Sequence, residues 1–335
     1  MSFKRLEAED FVVSSDAITS TLWSQDKPEL TNEFFTSPSQ QSELSGNFYL
    51  SVFNKDPEID PTAEVQFSIA YANKNGGGST PYNGTIPENT PTRTTYGQYR
   101  SLILEDEDAN FVFGTGNNQV ELDYFYVISI ERARYKESLF LGSFNLTLAG
   151  NSDTVTLTDN SKDSTIAQYM GTTRVFQIVE GTNGEESTPI SSGFGSYGLI
   201  FPDLGLIFLN PNALNNRIGL NLNNSIGVSN LTNQLDLYNV IVNGESFKLN
   251  SKETISSNYI FVRSRNSEFN YTENPTFIKN NGEVIYSNYI NNPQTYVTSV
   301  GFYNDENELL AVAKLSRPLL KDFTKESLIR VKLDF

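Results

Sequence analysis

The chain contains no cysteine and no histidine. Without cysteine it has no disulfide, no thiolate nucleophile and no thiolate metal site. Without histidine it lacks the commonest general base and metal ligand, which excludes Ser-His-Asp chemistry and the usual zinc-hydrolase sites. These two absences remove most familiar catalytic machinery, and we do not expect an enzyme.

Long apolar runs are also missing. No stretch reaches the roughly 18 apolar residues of a membrane-spanning helix, and the start MSFKRLEAED lacks the apolar segment of a signal peptide. We therefore expect a protein made in a cytoplasm, without membrane partners. Basic residues are few, with 24 Lys and Arg against 40 Asp and Glu, a net charge of −16. So acidic a surface repels phosphate backbones, and no nucleic-acid partner is expected.

Aromatic residues are abundant, with 23 Phe and 17 Tyr among 335 residues. Together with many Asn, Ser, Thr and Gly, they favour strands joined by turns. The length exceeds one ordinary core and suits two domains. The composition predicts a mainly β protein of antiparallel β-sandwich-like domains, with one or two short helices and an extended N-terminal arm.

Shifts in composition suggest the domain organisation. Residues 1–45 are polar and mixed and predict the N-terminal arm. Strand patterns then begin, and a second shift near residue 185 predicts one β-rich domain over 46–185 and another over 186–335, ending in a C-terminal strand. The segment 73–94 is rich in Gly, Pro, Asn and Thr and is long for a connection within a domain. We expect 1–45 and 73–94 to be disordered in the free protein.

Alternation of apolar and polar residues marks the clearest strands. EVQFSIAY (64–71) and LIRVKLDF (328–335) have the period of two typical of a strand with one buried face. The second of these predicts that the last residues are held in a sheet. TYVTSVGFY (295–303) turns through NDEN (304–307) into ELLAVAKLS, which predicts a hairpin.

Two further segments give predictions of local structure. TYGQYRSLIL (95–104) predicts a helix, because Tyr99, Leu102 and Ile103 share one face and an acidic run follows. LYNVIVN and ESFKLN flank Asn243-Gly244, the strongest short turn signal for a hairpin. They therefore predict a second hairpin.

Gly193, Gly195 and Gly198 form the G-x-G-x-x-G pattern of dinucleotide-binding turns. That fingerprint needs a helix directly after the glycines, whose N-terminus meets the pyrophosphate. Pro202 and Asp203 follow instead, among β-branched and aromatic residues. The segment predicts a strand, a tight turn and a strand, with glycines that bend the chain or let another backbone pass closely. No cofactor is expected.

Acidic residues are plentiful but show no ligand spacing. LEDEDAN (104–110) lacks the spaced ligands of a calcium loop and predicts a solvated helix end, so no metal site is expected. No catalytic residue is singled out, although a carboxylate pair for glycoside hydrolysis stays open because such a pairing is spatial. The single tryptophan, Trp23, lies in the N-terminal segment, which counts against a carbohydrate platform built on tryptophan.

Three basic residues, Arg132, Arg134 and Lys136, follow the aromatic strand ELDYFYVISI (121–130) within five positions. In so acidic a chain they predict an ion-pair docking point, either for an acidic neighbour or for acidic loops of the chain itself. Both alternatives stay open. Phe335, which ends the last alternating strand, completes the candidate interaction residues.

The hairpin TYVTSVGFYNDENELLAVAKLSRPLLKDF resembles a strand-turn-strand pattern, GLYD-x-x-x-ELLAVAKL, of tail-fibre, baseplate and other virion proteins of tailed bacteriophages. Three other blocks are similar to structural proteins of contractile-tailed phages, especially marine ones. These blocks are FFTSPSQQSELSGNFYLSVFN, YVISIERARYKESLFLGSFNLTL (126–148) and YGLIFPDLGLIFLNPNAL (197–214). The resemblance touches most of the chain but includes no catalytic motif.

The resemblance implies a structural virion protein, assembled in the host cytoplasm as a tail, baseplate or fibre-attachment subunit. Its partners would be other virion subunits, in a symmetric homo-oligomer or a ring, with no small-molecule substrate. The segments 1–45 and 73–94 would then become ordered on assembly. One alternative is a capsid or neck decoration protein. Another is a polysaccharide-binding or polysaccharide-degrading receptor protein, which would show two facing carboxylates in a groove lined by Trp and Tyr.

Overall fold

The structure is a computed structural model that describes residues 3–31, 34–36, 49–82, 84, 86–163, 168–272 and 274–334. It is mainly β, with antiparallel strands and few, short helices, which confirms the predicted fold class. The strands are β1 (Phe11–Thr21), β2 (Phe35–Thr36), β3 (Tyr49–Phe53), β4 (Val65–Asn73), β5 (Phe111–Phe113), β6 (Val120–Leu122), β7 (Tyr124–Ile130), β8 (Ser138–Ala149), β9 (Thr154–Asp159), β10 (Gln168–Met170), β11 (Thr173–Thr182), β12 (Glu185–Thr188), β13 (Gly198–Phe201), β14 (Leu206–Leu209), β15 (Phe247–Ser264), β16 (Thr295–Tyr303), β17 (Leu309–Lys321) and β18 (Ser327–Asp334).

The chain divides into two compact units. The smaller unit comprises residues 1–17 and 254–335, and the larger unit comprises residues 18–253. Strands β1 and β15 each run from one unit into the other. The composition shift near residue 185 falls at β12, inside the larger unit.

One long antiparallel sheet forms the larger unit. Its strands follow the order β15-β8-β9-β11-β13-β14-β7-β4-β3-β2, and β10 and β12 pair separately with β11. Strands β13 and β14 are joined by the tight turn at Pro202–Gly205 and pair from Gly198 opposite Leu209 to Phe201 opposite Leu206. This confirms the prediction of a strand, a turn and a strand in the glycine segment.

Both faces of the central strands are buried. On β4, Phe67, Ile69 and Tyr71 enter one hydrophobic core, whereas Ala70 and Ala72 enter a second core on the opposite face. Successive side chains of a strand point to opposite faces, so burial on both faces requires an almost uninterrupted apolar run. This requirement explains stretches such as YFYVISI in β7.

The larger core forms where the sheet curls over itself. Trp23 lies 4.8 Å from the ring of Phe247 on β15, and Phe67 on β4 lies 5.3 Å from the same ring. Because β4 and β15 are far apart in the strand order, these ring contacts join two layers of one sheet. The larger unit is therefore sandwich-like, and Trp23 anchors the N-terminal segment in its core with only 2% of its surface exposed.

Four short α-helices occur among the described residues. They are α1 (Pro91–Ile103), α2 (Pro211–Ile218), α3 (Thr232–Gly244) and α4 (Ser287–Asn291). Helix α1 confirms the predicted helix but begins earlier, because Thr90 caps it by accepting a hydrogen bond from the backbone N–H of Arg93 and Pro91 fits its first turn. The cap precedes the periodic segment 95–104, so the apolar periodicity does not mark where the helix begins.

The predicted hairpin around Asn243-Gly244 is wrong, because LYNVIVN belongs to helix α3. Leu237, Val240 and Ile241 are buried at the i, i+3, i+4 spacing of one helix face. Gly244 ends the helix against the backbone carbonyl of Thr147, where a Cβ atom would clash. The Asn-Gly pair therefore marks a helix end instead of a turn between strands.

The smaller unit contains two sets of strands. Its part of β15 pairs antiparallel with β18, with Ile260 directly opposite Val331, and β1 is also a neighbour of β15 in the strand order. Strands β16 and β17 form a separate two-stranded sheet, in which Gly301 faces Val312. The predicted C-terminal hairpin and last strand are both confirmed.

Parts of the N-terminal arm and of the 73–94 segment make internal contacts in the larger unit. Leu30 pairs with Phe247 through two backbone hydrogen bonds, and the backbone N–H of Gly78 donates to the carbonyl of Ser225. Ordering of 1–45 and 73–94 on assembly stays a prediction. Within the described part of the chain, no helix is both long and apolar enough to span a membrane.

Candidate assembly surface

The predicted basic cluster is paired within the larger unit. Arg134 forms an ion pair with Glu64 at 2.9 Å, and Lys136 forms one with Glu253 at 2.8 Å. The guanidinium of Arg132 stacks over the ring of Tyr135 at 4.4 Å and donates to its backbone carbonyl. Arg134 and Lys136 thus have acidic partners inside the chain, whereas the partner of Arg132 is aromatic. A docking role of the cluster stays a prediction.

Arg134 lies at the centre of a small polar network. It also donates to the hydroxyl of Ser24 at 2.6 Å, and that hydroxyl donates to the carboxylate of Glu64. The Ser24 hydrogen bond, followed by the charge of Arg134, lowers the pKa of Glu64. The fourth candidate, Phe335, lies outside the described residues.

The glycines of the G-x-G-x-x-G segment serve close backbone packing. Gly195 lies against the carbonyl of Phe113, and Gly198 lies against the carbonyl of Phe208, so that a Cβ atom would clash at either position. The side-chain oxygen of Asn118 accepts from the backbone N–H groups of Gly193 and Gly195, at 3.1 and 3.3 Å. A phosphate bound at this turn would need these two backbone N–H donors, which the Asn118 side chain already occupies. Strand β13 then begins at Gly198, where the fingerprint requires a helix.

A polar cleft of about 320 Å³ lies beside this segment, but its inner polar groups have internal partners. The carbonyl oxygen of the Gln177 side chain accepts from the backbone N–H of Gly114 and from the hydroxyl of Ser196. Its amide nitrogen donates to Gln168, and Asn160 accepts from the backbone of Gln177. Because these internal hydrogen bonds occupy donors and acceptors of the cleft lining, few polar groups remain to bind a ligand.

Two carboxylates, Asp163 and Glu186, also line this cleft. Partial burial raises the pKa of Glu186, and the charge of Asp163 raises it further. Tyr197 is the aromatic residue of the lining, whereas Trp23 lies in the core. The cleft therefore lacks the tryptophan of the groove expected for a polysaccharide receptor. No group of three or more carboxylates in the described ranges is placed to hold a metal ion.

The smaller unit buries very little apolar surface. Among its described residues, Ile260 and Val331 are the only buried hydrophobic side chains, and neither belongs to the two hydrophobic cores. Most of the large hydrophobic side chains that are exposed anywhere in the described chain lie in this unit. A unit of this size normally buries a continuous core, whereas the large apolar side chains described in this unit are mostly exposed.

One part of this surface is a defined apolar patch on the hairpin, formed by Phe3, Tyr303, Leu309 and Val312. Tyr303 faces Leu309 across the hairpin, and both side chains lie over Gly301, which has no side chain to separate them. Val312 faces Gly301 and so shares this side of the sheet. The exposed fractions range from 38% for Tyr303 to 60% for Val312.

A buried lysine fixes the loop that precedes the hairpin. Lys321 is fully buried, and its ammonium donates to the backbone carbonyl of Asn266, the side-chain oxygen of Asn270 and the carbonyl of Asp322, at 2.8 to 3.1 Å. Three oxygen acceptors satisfy all three donors of the ammonium. Lys321 thereby ties the start of the 265–294 loop to the end of β17.

Sequence reasoning did not find the apolar patch. Most of its residues belong to the predicted hairpin, and a strand pattern does not show whether a face is covered. The sequence contains the acidic turn and the apolar run ELLAVA. Whether these apolar side chains are buried depends on what packs against the strand, and a local sequence pattern does not predict that packing. The chain matches no family model, and comparisons with curated proteins and with solved structures give no significant match.

Proposed function

We propose that this protein is a structural subunit of the virion of a contractile-tailed bacteriophage, in the tail, baseplate or fibre-attachment region. It acts by assembly with neighbouring subunits and makes or breaks no covalent bond. The observation that carries this proposal is the smaller unit, which exposes large apolar side chains and buries only Ile260 and Val331 among its described hydrophobic residues. Such a surface is stable in water when a neighbouring subunit covers it.

The larger unit supports the same role in a different way. It buries two hydrophobic cores, its basic residues Arg134 and Lys136 are paired internally, and its glycine segment packs against other backbone. The larger unit therefore suits a scaffold without a ligand site. The resemblance of the hairpin and of three other blocks to phage structural proteins supports the choice of a virion.

The experiment that tests the proposal is quantitative mass spectrometry of purified virions of the phage that encodes the chain. The copy number is taken relative to the major capsid subunit. A small multiple of about six would support a tail or baseplate position, since rings there share the symmetry of the tail. Copies in the hundreds would support the capsid decoration alternative. Absence from the virion would overturn the proposal.

A further inference from the structure

The hairpin presents three kinds of exposed surface in order along the chain. Its turn is acidic, the apolar patch follows, and the next part of β17 is basic. Asp305, Glu306 and Glu308 form the acidic turn, and Lys314 and Arg317 form the basic stretch. All five side chains are exposed.

Most of these charged side chains make no ion pair within the described part of the chain. Within the described part of the chain, Lys314 and Arg317 make no ion pair, and neither do Asp305 and Glu306. Glu308 differs, because its carboxylate accepts a hydrogen bond from the side chain of Asn304 at 2.9 Å and helps to shape the turn. The charged ends of the hairpin are therefore available on both sides of the apolar patch.

We propose that a second copy of this chain covers the apolar patch, with the two hairpins antiparallel about a two-fold axis. In this arrangement each apolar patch meets the same patch of the other copy. The acidic turn of each copy then lies beside the basic stretch of the other, because the two lie at opposite ends of the apolar patch along β17: Glu308 directly precedes Leu309, and Lys314 follows Val312. This inference rests on the proposed assembly role of the smaller unit.

The order of acidic, apolar and basic surface favours an identical partner. Reversed end to end, this order is its own complement, which is what a two-fold interface requires. A partner with charge of one sign would be repelled at one end of the hairpin. Residues 254–335 also carry nine basic and nine acidic side chains, so this part of the chain is free of the net repulsion that −16 gives the whole chain.

A charge swap in the full chain tests the arrangement. The variant Asp305→Lys/Glu306→Lys makes the turn basic, and the variant Lys314→Glu/Arg317→Glu makes the stretch acidic. Each variant alone places like charges at both ends of the interface, so its self-association weakens by about 100-fold in sedimentation velocity. An equimolar mixture restores the dimer, because the basic turn of one variant meets the acidic stretch of the other.

An apolar substitution provides a second test with a matched control. Val312→Asp places an unpaired carboxylate in the interface and gives a monomer with an unchanged circular dichroism spectrum. Ile59→Asp makes the same change at a highly exposed position of the larger unit and leaves the dimer intact. The inference is overturned if the wild-type chain is monomeric at about 100 μM, if Val312→Asp stays dimeric, or if the mixed charge variants fail to associate.

The two proposals can fail separately. A chain that is present in virions but monomeric in solution would sink the two-fold hairpin interface and leave the structural role standing. A chain that dimerises through the hairpin but is absent from virions would support the two-fold interface and overturn the structural role in the virion.

Discussion

The ring of Phe3 meets the ring of Tyr303 edge-on, with centroids 5.2 Å apart and planes inclined at 80°. This is a favourable aromatic geometry, yet 59% of the surface of Phe3 stays exposed. Close to it, Lys4 forms an ion pair with Glu268 at 3.0 Å, which ties the N-terminal part of the smaller unit to its C-terminal part. The segment thus enlarges the apolar patch of the hairpin.

This contact predicts a role for Phe3 in self-association. Phe3→Ala removes apolar area from the patch and is expected to weaken the dimer by about 10-fold, corresponding to about 1.4 kcal/mol. Phe11→Ala is the control, since Phe11 is also exposed and lies on β1, outside the patch. Sedimentation equilibrium of both variants checks the prediction, and equal dissociation constants for the two would contradict it.

The buried ammonium of Lys321 predicts a local loss of stability. Lys321→Met keeps much of the side-chain volume but leaves the oxygens of Asn266, Asn270 and Asp322 without their donor. We expect a cost of about 2–3 kcal/mol and faster amide hydrogen exchange around residues 266–270. Lys332→Met is the control, because Lys332 is an exposed lysine of the same unit and lies outside the hairpin. Unchanged exchange in the Lys321 variant would refute the tie between loop and strand.

The glycine segment allows a matched pair of substitutions. Gly193 and Gly195 have φ of +88° and +74°, but Gly193 faces open space, whereas Gly195 lies against the carbonyl of Phe113. Gly193→Ala is expected to cost about 1 kcal/mol of unfolding free energy. Gly195→Ala adds overpacking of about 1–3 kcal/mol. Denaturant unfolding followed by the fluorescence of Trp23, the single tryptophan, measures both costs, and equal values would contradict the packing role.

The hydrogen bonds of Asp60, in the turn at residues 56–62, predict how the stability of the fold depends on pH. The hydroxyl of Thr62, its backbone N–H and Lys55 lower the pKa of Asp60 from 3.8 to about 2, with the hydroxyl as the largest cause. Because the folded-state pKa lies below the unfolded one, this group stabilises the fold above about pH 4 and loses that contribution as pH falls towards 2.

Thr62→Val removes the hydroxyl and is expected to raise the pKa of Asp60 towards its ordinary value, narrowing that pH window. Lys55→Met should raise it less, since the lysine is the weaker cause. An NMR titration of the Asp60 carboxyl in both variants gives the order of the two effects. A larger rise in the lysine variant would show that charge, and not the hydroxyl, governs the carboxyl.

The sequence predicted those parts of the fold that depend on local pattern. The C-terminal hairpin, the strand at 328–335 and the turn after Phe201 are confirmed, because alternation and turn residues act over a few positions. Helix α3 was missed because Asn243-Gly244 satisfies two local rules, a hairpin turn and a helix end. The deciding contact, Gly244 against the carbonyl of Thr147, is remote in sequence.

The candidate site was less predictable for the same reason. Arg132, Arg134 and Lys136 stand out in an acidic chain. Glu64 and Glu253, the partners of Arg134 and Lys136, are distant in sequence and become their neighbours only in the folded chain. The apolar patch combines Phe3 with residues of β16 and β17. The patch is exposed because no other described part of the chain packs over it, and a local sequence pattern does not predict such packing.

Hydroxyl-radical footprinting of the free chain and of assembled virions tests the central claim most directly. We expect Tyr303 and Leu309 to be labelled strongly in the free chain at low concentration and to be protected in the virion. Ile59, on an exposed turn of the larger unit, serves as the internal reference for loss of labelling. Equal labelling of Tyr303 and Leu309 in the free and assembled states would contradict assembly through the smaller unit.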